Sequence, residues 1–189
     1  MRCFLAIVLP EEIRRAIGRC LNGFRAEGGG ISWVRLEGIH LTIKFLGEIE
    51  TMRFQDVSTM VRETAREFPG FELTIGGRGV FPDAKQPRVL WIGVHEPPKV
   101  LADLAEALET GLSRIGFPRE KHPFRAHLTA ARVRPSMKGK EPERLLARWL
   151  LGPDETFGTF RTDGIVLMQS ILERGGAVYT RVEEYPLAG

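Results

Sequence analysis

The sequence predicts an α+β fold made of two related halves, and three observations predict it. Strand-like runs and amphipathic helical stretches are mixed along the chain without strict βαβ alternation. Over 189 residues, 43% hydrophobic against 27% charged residues supplies a core and argues against disorder. One tripeptide, His-Leu-Thr, occurs twice in strand-like settings, at His40–Thr42 and at His127–Thr129. The length suits one large domain or two tightly joined lobes.

Arg2 to Leu9 is a buried strand by its length and its Phe4, Ile7 and Val8 content. Its apolar run is too short to span a membrane and no signal cleavage site follows it. Pro10 opens a helix with Glu11 and Glu12 in the turn where the dipole favours acid. Ile13, Ile17, Cys20, Leu21 and Phe24 recur at helical spacing, and Gly28, Gly29 and Gly30 end the run in a turn. Ile31 to Arg35 and His40 to Gly47 are strands, and Thr51 to Phe68 is a helix closed by Pro69-Gly70. Phe71 to Ile75 is a strand, Gly76-Gly77-Arg78-Gly79 a turn and Arg88 to Val94 a strand. A third helix covers Lys99 to Ile115, with Leu101, Leu104, Ala105, Leu108 and Leu112 on one stripe. Ala126 to Val133 is a strand, Pro142 to Leu151 a short helix, and Thr156–Thr162, Gly164–Leu172 and Ala177–Glu183 are strands, the last two joined at Gly175-Gly176.

The net charge is +3 and the pI about 9.1, a mild field that favours phosphates and nucleic acid. Cys3 and Cys20 form no disulfide framework and read as thiols of a reducing compartment. Gly76–Gly79 lacks the strand–GxxxxGK[ST]–helix context of a phosphate loop. His122 and His127 have a zinc-like spacing without partner cysteines, so no metal site is assigned, and His95 reads as a surface residue.

The two histidines of the repeat are 87 positions apart (127 − 40), and the chain has only four histidines. In a strand, residues two apart share a face. His40 and Thr42, with Lys44, therefore point one way, opposite Leu41, Ile43 and Phe45, and His127 and Thr129 point one way, opposite Leu128 and Ala130. Two such strands facing one groove deliver two imidazoles and two hydroxyls to one point. Phosphodiester cleavage needs that set: a base for water, an acid for the leaving oxygen, and donors for the non-bridging oxygens. Histidine serves as either acid or base near neutrality. Arg132 falls on the face away from His127 and reaches the site only if the strand bulges. Lys44 reads as a solvent-facing charge or a site residue. Phe124 reads either as a base-stacking surface or as core, and Trp91 as core.

The chain resembles the two-histidine (2H) phosphoesterases, and among them the RNA 2',3'-cyclic phosphodiesterases or 2'-5' RNA ligases (LigT/ThpR). The resemblance rests on Met1-Arg2-x-Phe4-x-Ala6-Ile7, His40 to Glu48, Pro87 to Val94 and Phe124 to Arg132. Ala126 departs from the proline often found there. The resemblance implies a single bilobal unit over residues 1–189, with two pseudo-symmetric antiparallel-sheet lobes and flanking helices around a central groove. It implies hydrolysis of a terminal 2',3'-cyclic phosphate to a 2'-phosphomonoester, with His40 as proton donor and His127 as proton acceptor. The residues alone do not distinguish those two roles. Thr42, Thr129 and Arg132 carry over as phosphate-binding residues. No cofactor is implied. The expected partner is RNA with a cyclic phosphate end, such as transfer-RNA fragments, met by a cytoplasmic monomer away from membranes. The alternatives are 2'-5' RNA ligation, RNA-end binding without catalysis, and action on small cyclic nucleotides or other phosphoesters.

Overall fold

The structure, a computed structural model, describes residues 1–25, 31–134, 140–173 and 176–189, without the side chains of 140–142. The expected turn at Gly28–Gly30 and the Gly175 side of the last hairpin lie outside the described residues.

The chain runs β1 (Arg2–Val8), α1 (Glu11–Arg25), β2 (Ile31–Trp33), β3 (His40–Glu48), α2 (Phe54–Ala65), β4 (Phe71–Phe81) and β5 (Val89–His95). It continues with α3 (Lys99–Arg114), β6 (His127–Val133), α4 (Lys140–Leu151), β7 (Thr156–Thr162), β8 (Gly164–Glu173) and β9 (Gly176–Pro186). Two elements are shorter than their sequence pattern. The second strand stops at Trp33 and gives way to a 3-10 turn at Leu36–Gly38. The second helix begins after a 3-10 turn at Thr51–Arg53 and frays past Ala65 through i→i−3 bonds from Glu67 and Phe68.

Gly76–Gly79 is not a turn. β4 runs straight through it, with a register shift between Gly76 and Arg78 and Gly77 at φ +72°. The glycines serve close approach: a Cβ on Gly76 would lie 2.0 Å from His95 Nε2, and one on Gly79 2.1 Å from Trp91 Cζ2.

The strands form one sheet in the order β7-β4-β5-β6-β3-β1-β8-β9, with β2 added beside β6, and neighbouring strands are antiparallel. The midline of the order falls between β6 and β3, the two His-Leu-Thr strands. Four strands extend from each side of that seam, the bilobal arrangement. The seam is thin: a single pair, Leu41 opposite Leu128, joins the halves in register, because β2 takes the rest of the β6 edge.

The helices interlock the halves. α1, which follows β1, packs against β7 on the other half, and α3, which follows β5, packs against β3. α2 lies against α3 and β9, and α4 against β4. The main apolar core runs through Leu5, Ile7, Leu41, Leu90, Ile92 and Leu128 on the helix side of both halves, and Phe4, Ala6, Val166 and Met168 form a smaller, separate cluster. Trp149 on α4 donates its Nε1–H to the Gly79 carbonyl at 2.9 Å inside the main core.

Leu5 is fully buried at the centre of β1, whereas Leu151 at the end of α4 is 84% exposed. Leu5→Ala is expected to lower unfolding free energy by about 2–5 kcal/mol, through lost transfer energy and a residual cavity. Leu151→Ala is expected to change it by less than about 0.5 kcal/mol. Urea denaturation of both variants checks the pair, and equal effects would contradict this core.

Candidate active site at the seam

Antiparallel pairing turns one opposed pair into a full register. With Leu41 opposite Leu128, His40 lies across from Thr129 and Thr42 across from His127. Leu41 and Leu128 point into the core, each about 1% exposed, so all four polar residues point to the other face of the sheet. His40 and His127 are diagonal neighbours on that face, with backbones roughly 7–8 Å apart by strand geometry.

Two cavities reach these residues. One, of about 430 Å³, is lined by His40, Thr42, Phe45, Thr129, Arg132 and Tyr179 among others. The second, of about 590 Å³, is lined by Thr42, Phe45, His127, the segment Arg119–Arg125 with Phe124, and Glu106 and Glu109 of α3. Thr42 and Phe45 line both, so the two cavities meet along β3.

Two matched bulges shape the groove. In β3 the pairing with β1 slips between Thr42 and Lys44, so Ile43 is the extra residue. In β6 the pairing with β5 slips between Thr129 and Ala131, so Ala130 is the extra residue. In each strand two consecutive side chains then turn inward: Ile43 and Lys44, Ala130 and Ala131. The residue after them turns out to the groove, Phe45 in one half and Arg132 in the other. The bulge brings Arg132 to the His40 cavity. It also corrects two expectations from strict alternation. Lys44 does not share the His40 face but is buried, 2% exposed, and Phe45 is not core but 56% exposed in the groove.

Phe124 combines its two readings, half-buried against the core and lining the His127 cavity. Trp91 is not a core residue. Its register with Thr129 puts it half-buried on the groove face, its ring 5.4 Å from Phe81. His95 is partly exposed, with Nε2 3.6 Å from Asp154. His122 is exposed at the rim of the second cavity. Among the described residues, no group of three or more His, Cys, Asp or Glu is placed to hold a metal ion.

The histidines share one device. His40 Nδ1 lies 2.7 Å from the Gly38 carbonyl, and His127 Nδ1 lies 2.7 Å from the Arg125 carbonyl. A carbonyl only accepts, so each Nδ1 carries a hydrogen and each Nε2 is left for proton exchange. Their surroundings differ. His40 stacks on Phe4 at 4.6 Å and meets the edge of Tyr179 at 4.9 Å. Gly38 permits this box, because a Cβ there would stand 3.1 Å from the Tyr179 ring. Burial pushes the His40 pKa down to about 4, against the weaker opposing effect of the Gly38 hydrogen bond. Among the described residues, His127 has one ring neighbour, the edge-on Phe81 at 4.9 Å. Phe4, Phe45, Phe81 and Tyr179 were not read as site residues from the sequence. Their only signal is aromaticity at strand positions whose face depends on register.

The sequence profile of the family described as LigT like Phosphoesterase matches this chain twice, over residues 7–91 and 92–179, one His-Leu-Thr in each. The chain belongs to that family. It is 32% identical over 189 residues to the RNA 2',3'-cyclic phosphodiesterase of Methanothermobacter thermautotrophicus, covering 99% of both. It is 34% identical over 158 residues to the enzyme of the same name from Aquifex aeolicus, 83% of this chain and 82% of that one. The fold matches a crystal structure of a Thermus thermophilus protein with TM-score 0.83 at 29% identity, over 100% of this chain and 99% of the other. It matches Escherichia coli LigT complexed with 3'-AMP with TM-score 0.78 at 26% identity, over 100% and 98%.

A lowered His40 pKa makes this LigT-like fold acid-sensitive. The folded value, about 4, lies below the unfolded 6.5, so between them the unfolded chain binds the extra proton. The stability from keeping His40 neutral is present above pH 6.5 and is lost as pH falls towards 4. At about 1.4 kcal/mol per pKa unit it amounts to at most about 3.5 kcal/mol. Tyr179→Ala opens the box and is expected to raise the His40 pKa and flatten the slope of stability in that window. NMR titration of the imidazoles with denaturation at several pH values checks it. A His40 that titrates at 6.5 in the unaltered protein would contradict the box.

Proposed function

We propose that this protein is an RNA 2',3'-cyclic phosphodiesterase that opens a terminal 2',3'-cyclic phosphate to a 2'-phosphomonoester. The observation that carries the reading is the pairing of the two His-Leu-Thr strands at the seam, which puts two imidazoles with free Nε2 atoms and two hydroxyls on one face. Water attacks phosphorus in line with the leaving 3' oxygen. His127 accepts the proton of the water and His40 donates one to the 3' oxygen. Thr42 and Thr129 hydroxyls donate to the non-bridging oxygens, and Arg132 offsets their charge. Phe124, on the wall of the second cavity, offers a stacking surface to a base. The catalytic pair comes from both halves, so residues 1–189 act as one bilobal unit. The reading includes no metal or other cofactor. It places the protein in the cytoplasm as a monomer whose RNA substrates include transfer-RNA fragments.

His40 is neutral at rest, so as donor it takes up its proton together with the phosphate, whose charge favours the imidazolium. A second activity, 2'-5' ligation, is favoured by one observation. The His127 cavity, at about 590 Å³, exceeds what a water nucleophile needs and has room for an incoming 5'-hydroxyl nucleotide.

RNA ending in a 2',3'-cyclic phosphate, incubated with the protein and EDTA, is expected to yield a 2'-phosphate. His40→Ala and His127→Ala are each expected to lower the rate by about 10²-fold or more. End-mapping of the product reads which bond breaks. A 3'-phosphate product, an absolute metal requirement or full activity in both variants would overturn the reading.

A further inference from the structure

The bulge that turns Lys44 inward sets up an interaction with no counterpart in the other repeat. The equivalent position, four after the histidine, is Ala131. Lys44 Nζ donates to Glu109 Oε1 on α3 at 2.9 Å and to the Pro118 carbonyl at 2.7 Å. The same Glu109 Oε1 accepts the Glu120 backbone N–H at 2.6 Å. The side chains are withdrawn from solvent, Lys44 2% and Glu109 13% exposed. One ammonium on β3 and one carboxylate on α3 thus grip two points, 118 and 120, of the connection that runs from α3 into β6. That connection leads through Arg125, whose carbonyl accepts from His127 Nδ1, to His127 itself. It also forms a wall of the His127 cavity.

The location matters because β3 and β6 share a single register pair, Leu41 opposite Leu128. So thin a ladder leaves the approach of β6 to β3 to be set by what lies beside it. Lys44 is two residues beyond Thr42 on the strand that carries His40, and its partners hold the segment that delivers His127.

We propose that Lys44 is a positioning residue which, through Glu109 and the Pro118 carbonyl, fixes the connection from α3 to β6 and so holds His127 in place relative to His40. Lys44 touches no substrate. Its effect on turnover rests on the phosphodiesterase reading above; its effect on His127 does not.

Three variants test it: Lys44→Met, Glu109→Leu and the double variant. Each single change leaves one buried charge without its partner and is expected to lower the melting midpoint. The double change removes both charges and is expected to recover the midpoint. A purely structural clamp would recover activity with it. A positioning clamp would not: in Lys44→Met and in the double variant, assayed well below their melting midpoints, kcat is expected to fall by about 10- to 100-fold while KM stays within about twofold. Imidazole NMR supplies a readout independent of turnover, since the chain has four histidines. The His127 resonances are expected to shift in both variants while those of His95, beside Asp154, stay. A double variant that regains wild-type kcat, or an unmoved His127 in either, would overturn the assignment. Absence of turnover in the unaltered protein would instead sink the phosphodiesterase reading and leave the NMR result to decide the clamp.

Discussion

The seam between β3 and β6 is the constraint on which the rest of the structure depends. Each half-sheet buries its helix-facing side chains, and Leu41 against Leu128 makes the two cores continuous. Because side chains alternate along a strand, driving those leucines inward forces His40, Thr42, His127 and Thr129 outward together. A slip of one residue at this pair would send the imidazoles into the apolar interior, where unpaired polar groups are costly. The hydrophobic pattern that stabilises the fold therefore also sets the register of the site.

Strict alternation ends where the site needs something other than alternation. In both strands a bulge follows the threonine, and in both it turns the residue five after the histidine out to the groove. One half uses the position for an arginine lining the His40 cavity and the other for an exposed phenylalanine. The residue turned inward differs too, an alanine in one strand and in the other a lysine that reaches out of the β1 half to α3. The same backbone device in two copies has thus been filled with different chemistry. A duplicated fold binds an asymmetric ligand by such divergence, since the two ends of a cyclic phosphodiester make different demands.

Much of this was legible in the chain. Apolar runs placed the strands, the spacing of Ile13, Ile17 and Leu21 placed α1, and the repeated tripeptide placed the four polar residues of the seam. The failures share a cause: they depend on how one strand lies against another. Lys44 and Phe45 were assigned to the wrong faces because a bulge is a property of a pair of strands and leaves no mark on one of them. Gly76–Gly79 read as a turn because glycine is the usual turn residue, while here it makes room for His95 and Trp91. The box of Phe4 and Tyr179 around His40 joins residues from opposite ends of the chain, which only the β1–β8–β9 pairing brings near.

The contrast between the histidines has a further electrostatic consequence. Burial against Phe4 and Tyr179 keeps His40 neutral at rest. In the donor role proposed for it, the proton it lacks must then come with the substrate. A single negative charge about 4 Å from Nε2 contributes about 4 kcal/mol at an effective dielectric near 20, or about three pKa units. Added to a starting value of about 4, that returns His40 to the neutral range. An ordinary imidazole would become a much weaker acid under the same shift. The apolar box therefore suits His40 to the proton-donating role proposed for it once phosphate is present, which a resting value near 6.5 would not.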